Sequence, residues 1–190
     1  MKEIYQQIWK LAKPYYKKGR PMDINHIEWM MKDALLVSKK EKLDDALLLP
    51  LVILHDVGYA ETGPGYYDKE LKIAHMKAGK KIAKEILEKV NYPKDKIKKI
   101  CYYISVHDNW FLGDNKVYEG DLVLATFTDL DFIWMVAPKG FPEFPKILNK
   151  NKKETIKFIE NNEKLTARPF ATKTAKELYE KYLNERKKAL

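Results

Sequence analysis

From Ala46 to Leu54 the chain is apolar at every position, a run of nine residues with Pro50 in its middle. A segment with no polar face has nothing to show to water, so it belongs at the centre of a fold with other elements packed on all sides. It is far short of the roughly 20 residues that a membrane span requires. The flanking sequence offers helices to surround it. Ile4, Ile8, Leu11 and Ala12 recur at helical spacing, and Gly19-Arg20-Pro21 closes that segment. Asp23 is the expected cap of a second helix with the stripe Ile27, Met30, Met31, Ala34, Leu35. The apolar run forms a third helix starting near Leu43-Asp44-Asp45, kinked or begun late at Pro50 and stopped by Gly58 at its C′ position.

A loop is expected from Glu61 to Tyr67, then a long helix from Asp68 to Val90 with Ile73, Met76, Gly79, Ile82, Ala83, Ile86 and Leu87 on its inner side. Ile97, Ile100, Cys101 and Ile104 mark the next helix. Leu122, Ala125, Phe132, Ile133 and Val136 mark another, and two more follow near Ile156–Ile159 and Ala171–Tyr182. No alternating β-branched segment competes and no repeat of 20–50 residues is visible. The fold class is therefore all-α, a bundle of about seven or eight helices. At 190 residues against about 150 per domain, one domain spanning 1–190 is expected, with a core at about 20–137 and C-terminal helices 146–190 packed on it. The stretch Pro138–Pro145, with three prolines and a glycine, is the best candidate for a boundary.

Composition narrows the function classes. Hydrophobic residues at 45% and charged residues at 33% exclude a disordered or collagen-like chain. The single cysteine, Cys101, excludes both an internal disulfide framework and a thiolate zinc site. With an N-terminus that turns amphipathic at once, a cytoplasmic location is the expectation. The net charge of +9 comes almost wholly from lysines interleaved with glutamates, arginine occurring only at 20, 168 and 186. That pattern is a solvated surface which draws in anions, and not a nucleic-acid reader with basic and aromatic residues on one face.

The chemistry lies in four histidines. His26, His55, His75 and His107 are all the histidines in the chain, each on or beside the apolar face of a different helix. His75 continues the Gly79, Ile82, Ile86 stripe, His107 extends that of Ile97, Ile100 and Ile104, and Asp56 follows His55 directly. Asp129 interrupts the stripe of Leu122, Ala125, Phe132 and Val136. Taken singly, each histidine is more simply a satisfied core residue. Four imidazoles and two carboxylates all directed inward would cost several kcal/mol apiece without a shared counter-charge, about the penalty of burying unpaired polar groups. A divalent metal removes that cost, and imidazole with carboxylate favours Mn, Fe, Co, Ni or Zn over Mg.

The order His26, the adjacent pair His55-Asp56, and a late Asp129 resembles the metal-binding signature of the HD-domain phosphohydrolase superfamily. So does the phrase Leu51-Val52-Ile53-Leu54-His55-Asp56-Val57-Gly58, and His75 and His107 fall where the two-metal branch carries further histidines. The likeness covers about residues 20 to 185 and rests on the ordered set. It implies one or two divalent ions held by His26, His55, Asp56, His75, His107 and Asp129, with Asp56 bridging them and Asp56, His75 and His107 as catalytic residues. Thr128-Asp129-Leu130-Asp131 offers two aspartates for the last position. Asp129 matches the family in following a small residue, whereas Asp131 lies on a stripe with Leu124, Phe127 and Trp134, and periodicity does not separate them. Asp108 is either a partner for a histidine or a surface cap. Lys72, Lys77, Lys80, Lys81, Arg20 and Arg168 are candidates to meet a phosphate.

The implied reaction is hydrolysis of a phosphate ester or anhydride, of a small nucleotide above all, by a metal-activated water. Di-iron oxygenases of the same superfamily use the same six ligands on small anionic substrates, and are the alternative.

Overall fold

The computed structural model describes residues 1–65 and 68–190. Helices α1 (Glu3–Gly19), α2 (Asp23–Glu41) and α3 (Asp45–Leu54) are followed by the short α4 (Tyr59–Thr62), then α5 (Lys69–Lys89) and α6 (Lys94–Ile104). Two 3-10 turns, Asn109–Leu112 and Lys116–Tyr118, lead into α7 (Leu122–Ile133). The C-terminal part holds α8 (Phe144–Leu148), α9 (Lys152–Glu160), α10 (Lys164–Ala167) and α11 (Lys173–Lys188). Among the described residues there are eight helices of seven residues or more and no strand, the all-α architecture expected. The expected loop at Glu61–Tyr67 begins inside α4, and its last two residues lie outside the described ones.

The apolar run does lie at the centre. Leu48, Leu49, Leu51, Val52, Ile53 and Leu54 are fully buried, with α1, α2, α6 and α7 packed around α3. Pro50 sits inside the helix without ending it. Its missing N–H leaves the Ala46 carbonyl without the donor that position 50 normally supplies, and the Tyr92 hydroxyl donates to that carbonyl instead, at 2.8 Å. At the other end Tyr16 donates to the Ile53 carbonyl at 2.9 Å, so α1 and the α5–α6 connection each close one open bond of the central helix. Aspartates at 44, 68 and 121 cap α3, α5 and α7 through backbone amides two or three residues on.

Three local expectations are corrected. Asp23 is the first residue of α2 and caps nothing, because Arg20 takes its carboxylate at 2.8 Å. Ile73 and Leu122, placed on inward stripes by periodicity, are exposed: in that turn of α5 the buried residues are Lys72, His75 and Met76, and the first buried residue of α7 is Leu124. Gly58 is no left-handed helix stop, for its φ is −66°. It is small because α5 crosses it: a Cβ there would lie 1.9 Å from the His75 carbonyl oxygen and 2.6 Å from the Gly79 nitrogen. Backbone atoms cannot swing aside as side chains do, so Gly58→Ala is expected to cost about 1–3 kcal/mol or more. That is a fall in melting temperature of about 2–4 °C per kcal/mol. An unchanged thermal transition would show that α5 yields.

Candidate metal centre

Each of the four histidines is placed by a different element, and each is buried. His26 lies on α2, His55 caps the end of α3 with Asp56 in the following turn, His75 lies on α5, and His107 lies in the turn after α6 with Asp108. The helix end at Leu54 lets the adjacent His55 and Asp56 turn to the same interior.

Backbone carbonyls fix the rings. The Nδ1–H of His55 donates to the Val52 carbonyl at 3.0 Å, that of His75 to Leu71 at 3.2 Å, and that of His107 to Ile104 at 2.8 Å. A carbonyl only accepts, so Nδ1 carries a proton and Nε2 of each ring is the atom turned to the interior. Stacking completes the restraint. Tyr59 lies flat on His75 at 4.2 Å, Trp134 on His26 at 4.9 Å, and the edge of Phe127 meets His55 at 5.0 Å.

The inward atoms form two groups. In one, His26 Nε2 is 3.2 Å from Asp131 Oδ1, and His55 Nε2 is 3.8 Å from the same oxygen and 3.4 Å from Asp56 Oδ2. In the other, His75 Nε2 and His107 Nε2 face each other at 3.3 Å and lie 3.6 and 3.4 Å from Asp56 Oδ1. Asp56 thus turns one oxygen to each group. Nε2 of His26 and of His55 is buried with no hydrogen-bond partner among the described residues. The facing lone pairs of His75 and His107 repel unless a cation lies between them. Ligand atoms at about 2.1 Å from a metal in a tetrahedral arrangement stand about 3.4 Å apart, close to every spacing just given. The donor set and its spacing fit divalent ions.

Asp129 is not part of it. Its Oδ1 is held by the Lys164 ammonium and its Oδ2 accepts from the Ala171 amide at 2.7 Å, both on the C-terminal segment. The carboxylate that meets the histidines is Asp131. Helix α7 packs on α2 and α3 on one side and on α11 on the other, and its two aspartates face opposite sides. Asp131 shares its stripe with Phe127 and Trp134, the two rings that touch His55 and His26; that was the available signal.

Other charges surround the ligands. Arg20 pairs with Asp23, reaches Asp56 Oδ2 at 3.6 Å and stacks on Tyr59 at 4.2 Å. Lys72 is buried and donates to Asp108 Oδ2 at 2.6 Å, while that oxygen stands 3.3 Å from His75 Nε2. Lys77, Lys80 and Lys81 are exposed and lie elsewhere. Burial opposes ionisation of Asp56, yet His55 and Arg20 hold its carboxyl well below the usual range. Burial likewise opposes ionisation of Asp108, and Lys72 brings it below that range. Burial, aided by His107, lowers His75 and favours the neutral ligand form.

His55 behaves otherwise. Burial pulls it down, but Asp56 and Asp131 bring it from 6.5 up to about 9. In the metal-free protein this proton stabilises the fold fully below pH 6.5, and the contribution is lost as pH rises through about 9. An ion must displace the proton. Metal affinity is therefore expected to rise about tenfold per pH unit up to that value, measured by competition with a chromophoric chelator at pH 6, 7 and 8. A flat profile would mean that His55 binds no ion.

His26, Asp56 and Asp131 of the centre line the floor of a cavity of about 760 Å³ walled by Trp110, Phe111, Phe132, Trp134, Phe144 and Phe158 and reached by Lys164 and Arg168. No curated protein and no solved structure matches this chain. The profile of the HD domain matches residues 23–129, which includes His26, His55, Asp56, His75 and His107 and stops two residues before Asp131. That span is more than half of the 190 residues, and the chain belongs to the HD domain family, whose members are typically metal-dependent phosphohydrolases.

Proposed function

We propose that this protein hydrolyses a phosphate ester or anhydride of a small phosphorylated substrate, a nucleotide, at a centre of two divalent ions. His26, His55 and Asp131 would hold one ion, His75 and His107 the other, with Asp56 shared. The observation that carries this reading is the division of the Asp56 carboxylate, one oxygen toward each histidine pair. When bound, the ions supply a water of lowered pKa and neutralise the phosphoryl oxygens. The chain does the rest. Its carbonyl-tethered imidazoles aim Nε2 at the interior, His75 already in the neutral form and His55 once its proton is displaced, as ligation requires. Asp56 keeps its negative charge because His55 and Arg20 face it. The ammonium of Lys72, fixed by Asp108 beside His75, adds positive charge at the cavity floor where an anionic substrate arrives. The aromatic walls exclude water and offer flat surfaces to a base.

Residues 1–190 act as one unit in this reading, because the C-terminal helices build a wall of the cavity. No described helix is long and apolar enough to cross a membrane, and a reducing cytoplasm suits the free thiol of Cys101.

The test is a panel of nucleoside phosphates, cyclic nucleotides and dinucleoside polyphosphates offered to protein loaded in turn with Mn, Fe, Co, Ni, Zn and Mg. Release of phosphate or nucleoside monophosphate that stops on chelation and returns with metal is expected. Dioxygen consumption by the iron form, with no phosphorus–oxygen bond broken by any form, would replace hydrolysis with oxygenation.

A further inference from the structure

We propose that Arg168, on a C-terminal strap outside the matched HD span, is the residue that grips a phosphoryl oxyanion of the substrate. The proposal rests on reading the cavity as a site for phosphorylated molecules. Its basis is a difference among the cations that line the cavity. Arg20 is paired with Asp23, Lys72 with Asp108 and Lys164 with Asp129. Among the described residues, Arg168 is the buried or half-buried cation lining the cavity with no carboxylate at ion-pair distance. Its Nη1 is shielded from solvent and has no hydrogen-bond partner. A guanidinium is always charged and carries five donors, and a buried donor left unmade is costly. A ligand that accepts from it removes that cost.

The guanidinium is also held in place. It stands 5.3 Å from the Trp110 ring and 5.2 Å from the Tyr118 ring. The Tyr118 hydroxyl lies 2.9 Å from the His107 carbonyl as a donor and accepts from the Trp110 amide at 3.0 Å. The platform under Arg168 is thus continuous with the backbone of His107. Behind it, the strap is secured at both ends to Asp129, through Lys164 and the Ala171 amide. Asp129 therefore positions the strap, and Arg168 is what the strap presents to the cavity. A planar fork between aromatic faces suits bidentate contact with a tetrahedral oxyanion, which a lysine does not reproduce.

Inorganic phosphate is the probe, titrated calorimetrically into Mn(II)-loaded wild type, Arg168→Ala, Arg168→Lys and Lys157→Ala, the last removing an exposed lysine at the same cavity. Phosphate binding is expected to weaken about tenfold or more in Arg168→Ala. Arg168→Lys should recover only part of it, and Lys157→Ala should match wild type, with metal content equal in all four. For any phosphate ester turned over, KM should rise more than kcat falls in Arg168→Ala. Should the alanine variant not fold, Arg168→Lys alone still decides, with a loss of at least about threefold expected. Binding within twofold of wild type in the Arg168 variants, an equal loss in Lys157→Ala, or no phosphate binding by wild type would overturn the proposal. Phosphate binding that depends on Arg168 in a protein hydrolysing no ester would leave it standing and remove the hydrolytic reading. Hydrolysis with phosphate binding indifferent to Arg168 would do the reverse.

Discussion

Asp56→Ala is expected to lower turnover by about a thousandfold or more, equivalent to about 4 kcal/mol of transition-state stabilisation, with the helical circular dichroism of the wild type retained. One side chain serves both histidine pairs, so its removal breaks two sites at once. The fold should survive because α3, the helix that leads into it, is fixed by a fully apolar surface and not by this carboxylate. Bound metal should fall in parallel with activity. His55→Ala should behave alike, whereas Asp129→Asn should keep its metal, because that carboxylate touches the strap and no histidine. Near-normal turnover in Asp56→Ala would remove the two-ion reading, and loss of metal in Asp129→Asn would return Asp129 to the ligand set.

Lys164→Met should be strongly destabilising although it lies outside the centre. Lys164 and Asp129 are each 2% exposed, and burial pushes Asp129 up and Lys164 down, toward their uncharged forms, against the attraction between them. Removing the cation strands a buried carboxylate, a loss of about 3–5 kcal/mol. For a chain of this size that is a fall in melting temperature of roughly 6–20 °C. The double variant Lys164→Met/Asp129→Leu should recover most of it, since an apolar pair of similar volume commonly replaces a buried ion pair without loss. Thermal denaturation of the single and double variants checks both statements. A neutral Lys164→Met would show that the strap is held by other contacts.

Much of this architecture is legible in the residues because burial of a helix face writes itself as a period. The stripes of α2, α5 and α6 locate their own inner sides and carry His26, His75 and His107 inward with them. The nine-residue apolar run announces the centre without any period at all. Asp129 and Asp131 fail to separate for the converse reason. Helix α7 is buried on two sides, so both of its aspartates interrupt apolar stripes, and which one meets imidazole depends on what packs there. Gly58 is misread for a similar cause. A glycine after a helix suggests a left-handed turn, but the need for it comes from α5, 17 residues on at His75. Arg168 is visible as a rare residue type and nothing more until the strap is folded over the cavity.

Tying His55, His75 and His107 each to a carbonyl of its own chain segment, three or four residues earlier, means that the aim of these rings does not depend on the cation they will receive. A receptacle shaped in advance from nitrogen and oxygen, with no thiolate to discriminate, accepts first-row divalent cations in the order of their intrinsic affinities. Which element occupies it in a cell is then decided by supply. Protein purified from cultures fed different trace elements should carry correspondingly different cargo on one unchanged scaffold.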